Sequence, residues 1–215
     1  TYVHSVNVAL IASILGQWLK FSEKDIRILT ISGLLHDIGK IMIPNEILTK
    51  PGKLTVAEYN IMKQHVNFGY EKVKNQNIDI RIKEACLLHH EKCDGTGYPF
   101  GLKSDHIPAV AKIIAIADVY DAMTSARVYR GALCPFEVID TMYKDAFTKF
   151  EPEYILPFLK NVASSYINND VRLSDGRIGK VVLINENALS LPIVQCEDEF
   201  IDLSKTRGLT VSAIL

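Results

Sequence analysis

The chain has 215 residues, 48% of them hydrophobic and 23% charged, a composition expected of an ordinary globular protein rather than a disordered or membrane one. Its 24 basic and 25 acidic residues leave a formal charge of −1, which excludes the broad basic field that drives non-specific DNA binding. No apolar run nears the ~18 residues that span a bilayer, no secretory n-region is present, and Cys86, Cys93, Cys134 and Cys196 form no CxxC pair, so a cytoplasmic protein with reduced thiols is expected.

Apolar residues at Val3, Val6, Ala9, Leu10, Ile14 and Leu15 predict an amphipathic helix from Thr1 to about Lys20. Ser22, followed by Glu23 and Asp25, reads as the N-cap of a second helix running to His36, before Gly39 and Pro44 break it. Thr55 caps a helix whose positions Val56, Tyr59, Met62, His65, Val66 and Gly69 share a face, and Asp79 starts another through Ile82, Ala85 and Leu88 to His89 and His90. Gly95, Gly97, Pro99 and Gly101 make Asp94 to Ser104 a loop. Pro108 and Pro135 each suit a first helical turn, predicting helices to about Ser125 and Phe150, with a last one from Pro152 to Asn168.

Beyond Asp170 the texture changes to short β-branched runs, Ile178 to Ile184, Pro192 to Gln195 and Phe200 to Leu203, separated by Asp-Gly and Asn-rich turns. The expected architecture is mainly α: a helical domain over 1–169 and a small all-β appendage over 170–215 that contributes no site residue.

His4, His36, His65, His89 and His90 all fall at helix positions able to face inward, and Asp37 and Asp118 accompany them. Imidazole and carboxylate without thiolate suit Fe, Mn, Zn or Ni better than a structural cysteine-held zinc. Neighbouring helical residues point about 100° apart, so an Asp following a His near a helix end can bridge metals that the His binds from one side. Asp118 lies among Ala111, Ile113, Ile114, Ala115, Ile116, Ala117 and Val119, where a carboxylate needs a metal or a cation beside it.

The run His36-Asp37-Ile38-Gly39-Lys40 with Ile43-Pro44, and then HHEKCDGTGYP from His89 to Pro99, resembles the HD-GYP family of the HD phosphohydrolase superfamily. His4-Ser5, Lys50-Pro51-Gly52, His65, Asp118 with Asp121, and Arg127 to Arg130 follow in the family's order, over about Thr1 to Leu159. The resemblance implies an HD-type helical domain with a di- or trinuclear centre, often iron or manganese, that hydrolyses cyclic di-GMP to linear pGpG and sometimes to GMP. It implies that His4, His36, Asp37 and Asp118 hold one divalent ion, and that Asp37 bridges to a second held by His65, His89 and His90. Zinc, nickel and magnesium stay open as alternatives. So does a third ion, because the family's extra Glu would precede Thr1. A hydroxide bridging two cations would be the nucleophile.

Lys40 is implied beside the scissile phosphate, Tyr98 and Asp121 against the substrate, and Arg127 with Arg130, three apart, as donors to the second phosphate. Cys93 stands where many relatives carry an aromatic, which predicts a small change in loop packing. The chain opens without an initiator Met on a pattern already running, so a fragment joined to an upstream sensor or receiver domain is expected, and a homodimer stays open. The competing readings are a catalytically degenerate nucleotide-binding module and an HD phosphohydrolase acting on another nucleotide, either a mononucleotide or a different cyclic dinucleotide such as cyclic GMP-AMP.

Overall fold

The computed structural model describes residues 2–125, 131 and 133–215. Helices α1 (Tyr2–Trp18) and α2 (Glu23–Leu35) form an antiparallel pair, followed by a 3-10 turn over Ile38–Met42 and the single-turn α3 (Asn45–Leu48). Then come α4 (Val56–Lys63), α5 (His65–Val73) and α6 (Ile80–Leu88), a 3-10 turn at Ser104–His106, and α7 (Ala109–Thr124), α8 (Pro135–Asp145) and α9 (Pro152–Ser164). Strands β1 (Asp170–Leu173), β2 (Ile178–Leu183), β3 (Ile193–Cys196), β4 (Glu199–Asp202) and β5 (Val211–Ile214) make an antiparallel sheet in the order β4-β3-β2-β1-β5.

The caps sit where short polar side chains can satisfy first-turn amides. Ser22 accepts from the Asp25 N–H and Asp79 from the Arg81 N–H, while Thr55 and Glu58 form a reciprocal capping box. The helix expected from Thr55 through Gly69 is two, because at Gln64 the backbone N–H turns to the Ile61 and Met62 carbonyls and α5 restarts at His65. In α1 Val8, Ala12 and Leu15 are buried, whereas Val3, Val6 and Leu10 face outward. A helix apolar on nearly every side carries no clear stripe, so its periodicity points to no single face.

Helix α7 runs through the middle of the core, with Ile113, Ile114, Ile116 and Ala117 fully buried, and packs against α1, α2 and α6. Helices give way to strands between α9 and β1, and the apolar core runs across that passage. Val171, Leu173, Val181, Val194 and Val211 of the sheet belong to the same cluster as Phe136, Ile139, Phe158 and Leu159 of α8 and α9. Strand β5 packs on α8, and Lys160 of α9 pairs with Glu186 at 2.8 Å. Strands β1 and β5 escape the reading of the sequence because each is four residues with only two or three apolar positions.

Gly39 decides how closely the 3-10 turn approaches α5. A Cβ there would overlap the backbone of His65 and Gly69. We expect Gly39→Ala to force the two segments apart and lower stability by ~1–3 kcal/mol, as for other overpacked sites. At ~2–4 °C per kcal/mol in a chain of this size, thermal denaturation should show a drop of several degrees. An unchanged melting temperature would mean that the close approach is not needed.

Candidate metal centre

Five helices deliver the cluster. His4 lies on α1, and His36 caps the C-terminus of α2 with Asp37 next to it in the sparsely populated bridge region, φ −98° and ψ 8°. His65 opens α5, His89 caps α6 with His90 behind it, and Asp118 and Asp121 sit one turn apart on α7. His36, Asp37, His65, His89, Asp118 and Asp121 are all buried, and His4 and His90 are partly so.

Each deeply buried imidazole is oriented by a main-chain carbonyl. His36 Nδ1 donates to Gly33 O at 2.7 Å, His65 Nδ1 to Met62 O at 2.7 Å and His89 Nδ1 to Ala85 O at 2.9 Å. His4 Nδ1 instead donates to Asp121 Oδ2 at 2.6 Å, and that carboxylate also accepts from Asn7 at 2.8 Å and Ser125 at 2.9 Å. With Nδ1 carrying the proton, each Nε2 is left as a lone-pair donor, the usual arrangement of a metal-binding histidine.

These lone pairs converge on Asp37. Its Oδ2 lies 3.3 Å from His36 Nε2 and 3.7 Å from His4 Nε2, and its Oδ1 lies 3.4 Å from His65 Nε2 and 3.9 Å from His89 Nε2. Asp118 Oδ1 is 3.0 Å from His4 Nε2 and its Oδ2 3.8 Å from His90 Nδ1, which places His90 between the two halves of the cluster. The Lys40 ammonium pairs with Asp37 Oδ2.

The electrostatics favour cations. Burial holds His65 and His89 below the ordinary imidazole range and His90 at about 4, so all three are neutral donors near pH 7. Burial opposes charge on Asp37, but His36 and Lys40 outweigh it and keep the carboxyl well below its usual range. His36 is likewise pushed down by burial yet raised on balance by Asp37, so a proton and a cation compete for its Nε2.

Divalent ions fit the residues present. His65 Nε2 and His89 Nε2 stand 3.4 Å apart with both Nδ1 protons already committed, so two lone pairs face one another unless a cation lies among them. Among the described residues, His36 Nε2 and Asp37 Oδ1 are buried polar atoms without a hydrogen-bond partner, a costly condition that coordination would relieve. Asp37, His65, His89 and His90 can reach one point, as can His4, His36 and Asp37. The nearby Cys86 thiol, pushed up to about 12 chiefly by burial, points instead at the Leu35 carbonyl at 3.3 Å.

The residues named from the sequence thus fall in one place, apart from Arg127 and Arg130, which lie outside the described residues. Tyr98 stacks on the His90 ring at 4.7 Å between centroids and roofs this side of the cluster. Asp121, expected against a base, is buried with both oxygens engaged by protein donors. The sequence reading passed over Asn7 and Glu91. Asn7 stands one turn from His4 on the same helix face, a spacing that could have flagged it.

The chain is 37% identical over 196 residues to a cyclic di-GMP phosphodiesterase of Pseudomonas aeruginosa, PA4108, an alignment covering 91% of this chain and 47% of the relative. It is 36% identical over 158 residues to 3′3′-cGAMP-specific phosphodiesterase 2 of Vibrio cholerae, covering 72% of this chain and 30% of that protein. The chain therefore spans half or less of the length of these relatives. The crystallised Bd1817, an HDG"Y"P protein from Bdellovibrio bacteriovorus, superposes with a TM-score of 0.62 at 23% identity, over 73% of this chain and 50% of that one, which shows a shared fold. The HD domain model matches residues 3–154, a stretch that takes in every helix contributing to the cluster, and so this chain belongs to the HD domain family.

Proposed function

We propose that the chain is a metal-dependent phosphodiesterase of the HD-GYP type that hydrolyses cyclic di-GMP to linear pGpG, and by a second cleavage to GMP. The observation that carries this reading is the buried Asp37 carboxylate ringed by neutral, backbone-oriented imidazoles. His4, His36, Asp37 and Asp118 would hold one divalent ion, and Asp37, His65, His89 and His90 a second, iron or manganese being the best match to these donors. When bound, the cations neutralise charge on the phosphodiester and make water a competent nucleophile near neutral pH.

The remaining steps belong to the chain's own residues. Asp121 holds His4 in the tautomer that presents Nε2. The Lys40 ammonium stands beside Asp37, where it can shift to a non-bridging phosphoryl oxygen as charge develops there. Tyr98 closes the site over His90 and packs against substrate. Attack of water forms a new P–O bond and breaks the bond to the 3′-oxygen, which leaves with a proton. Arg127 and Arg130 are assigned to the second phosphate, for which their planar donors are suited. We place the reaction in the cytoplasm, where the free thiols Cys86, Cys93, Cys134 and Cys196 stay reduced, and no helix among the described residues is long and apolar enough to cross a membrane. A second reading, hydrolysis of cyclic GMP-AMP, is favoured by the Vibrio cholerae relative named for that activity. Product analysis with both dinucleotides on anaerobically purified, metal-analysed protein decides between them.

Three outcomes test the assignment. Asp37→Ala should lose most bound metal and all measurable turnover, and full metal occupancy with normal turnover would remove the binuclear reading. Lys40→Ala should keep its metal while turnover falls by on the order of 10²-fold, as for other preorganised electrostatic donors. Loss of metal alongside turnover would make Lys40 a structural partner of Asp37 instead. Because the raised His36 must be deprotonated to serve as a ligand, retained metal should fall as pH is lowered from about 8 to about 5. Metal content that stays flat across that range would mean that protonation of His36 does not compete with the metal.

A further inference from the structure

Outside the cluster the described residues include one further buried carboxylate, with an unusual commitment. Glu91 is 4% exposed, follows His90 directly, and forms no ion pair with any described residue. Its two oxygens accept from two main-chain amides of the following loop, Oε1 from Phe100 N–H at 2.7 Å and Oε2 from Leu102 N–H at 2.9 Å. A charged group bonded in this way makes hydrogen bonds about twice as strong as neutral ones, and its burial would be costly without them.

The same loop is held at its other points by backbone. Tyr98 N–H donates to His90 O at 3.2 Å. At Gly97 a Cβ would lie 2.5 Å from Glu91 Cα, His90 O and Lys92 N, so the loop lies directly on the backbone of 90–92. Its base closes through pairing of Asp94 with Lys103, and Ser104 is tied to Lys112 of α7 at 2.8 Å, which in turn pairs with Glu151 at 2.6 Å. Between these fixed ends, the residues just after Tyr98 have Glu91 as their anchor.

We infer that Glu91 is a positioning residue: its carboxylate clamps the Phe100 and Leu102 amides and thereby sets Tyr98 over the metal centre to receive the dinucleotide. It touches neither metal nor substrate, and it acts through the loop. The inference rests on the proposed substrate reading, since a small diester that never reaches the loop has no use for the clamp. Gln is nearly isosteric with Glu, but its amide presents N–H to one of the two backbone N–H groups, which opens that half of the clamp.

Glu91→Gln is therefore compared with wild type in metal content, melting temperature, and kcat and KM for cyclic di-GMP and for bis(4-nitrophenyl) phosphate, a diester too small to need the loop. The expected result is wild-type metal content and a kcat/KM ratio, cyclic di-GMP over small diester, lowered by roughly 10- to 100-fold, the scale of a misplaced binding group. In the Tyr98→Ala background the same substitution should cost little more, because both changes remove one function. If Gln unfolds the chain, Glu91→Asp, one methylene short of spanning both amides, is judged by the same criteria. An unchanged ratio, additive losses, or loss of metal in step with activity would overturn the inference. A wild type that cleaves the small diester and leaves cyclic di-GMP intact would overturn the substrate reading and this inference with it, a failure seen before any variant is compared.

Discussion

The buried charge of Asp37 is the constraint on which the rest of this structure depends. A lone carboxylate in so dry a place would cost several kcal/mol, and a group that uncompensated would take up a proton instead. It stays ionised because His36 and Lys40 outweigh the desolvation, and its neighbours arrive from four separate helices and the 3-10 turn. Helix α1 meets α2 closely enough to bring His4 to the carboxylate, and the bare Cα of Gly39 lets the turn bearing Asp37 lie against the first residue of α5. Packing choices far apart in sequence thus have one electrostatic consequence.

The imidazoles are held differently from the carboxylates, and the difference follows from where each sits in its helix. His36 and His89 are C-caps, each directly after the last helical residue where carbonyls lack intrahelical partners, so each ring finds a carbonyl three or four residues back. His65, at the start of α5, uses the last turn of α4 in the same way. His4 is near the beginning of α1, where carbonyls are taken up by the helix, and its orientation is supplied instead by Asp121 with Asn7 and Ser125 around it. This explains why the cluster contains three carboxylates with three roles: one shared among the imidazoles, one beside His4 and His90, and one behind His4.

Much of this was legible in the sequence. Of the helices that carry the cluster, α2 and α6 are capped by Ser22 and Asp79, side chains whose local hydrogen bonds act over two or three residues and so can be read without tertiary knowledge. His36-Asp37 stood out because an Asp after a His near a helix end can bridge metals, and His89-His90 because it opens the run that carries the family resemblance. What stayed hidden depends on contacts distant in sequence. The split of α4 from α5 at Gln64 serves to turn His65 inward, and nothing in the local pattern marks it. Asp121 was expected against the substrate because the family resemblance implied it, and nothing local could show that His4 approaches from 117 residues away. The four-residue β1 and β5 pair with one another across the whole tail, and too few apolar positions remain in each to show an alternation.

The arrangement also separates two tasks that need different materials. The groups proposed to hold cations sit on helices or beside their ends, and His36, His65 and His89 among them are pinned by main-chain carbonyls, which suits a site that must keep its ligands fixed while charge builds on a phosphoryl group. The groups proposed to meet the substrate lie on connecting segments: Lys40, for a phosphoryl oxygen, on the 3-10 turn, and Tyr98, for the organic part, on the glycine-containing loop after α6. A family that keeps the helices and varies the connections could change which dinucleotide is accepted without disturbing the metal centre, because the loop touches the cluster mainly through Tyr98 and His90. In this chain that loop is stiffened from beneath by a buried glutamate and at its exit by the Ser104, Lys112 and Glu151 contacts. Its geometry is therefore set by the protein before any ligand arrives, and the cost of ordering it is met in folding rather than in binding.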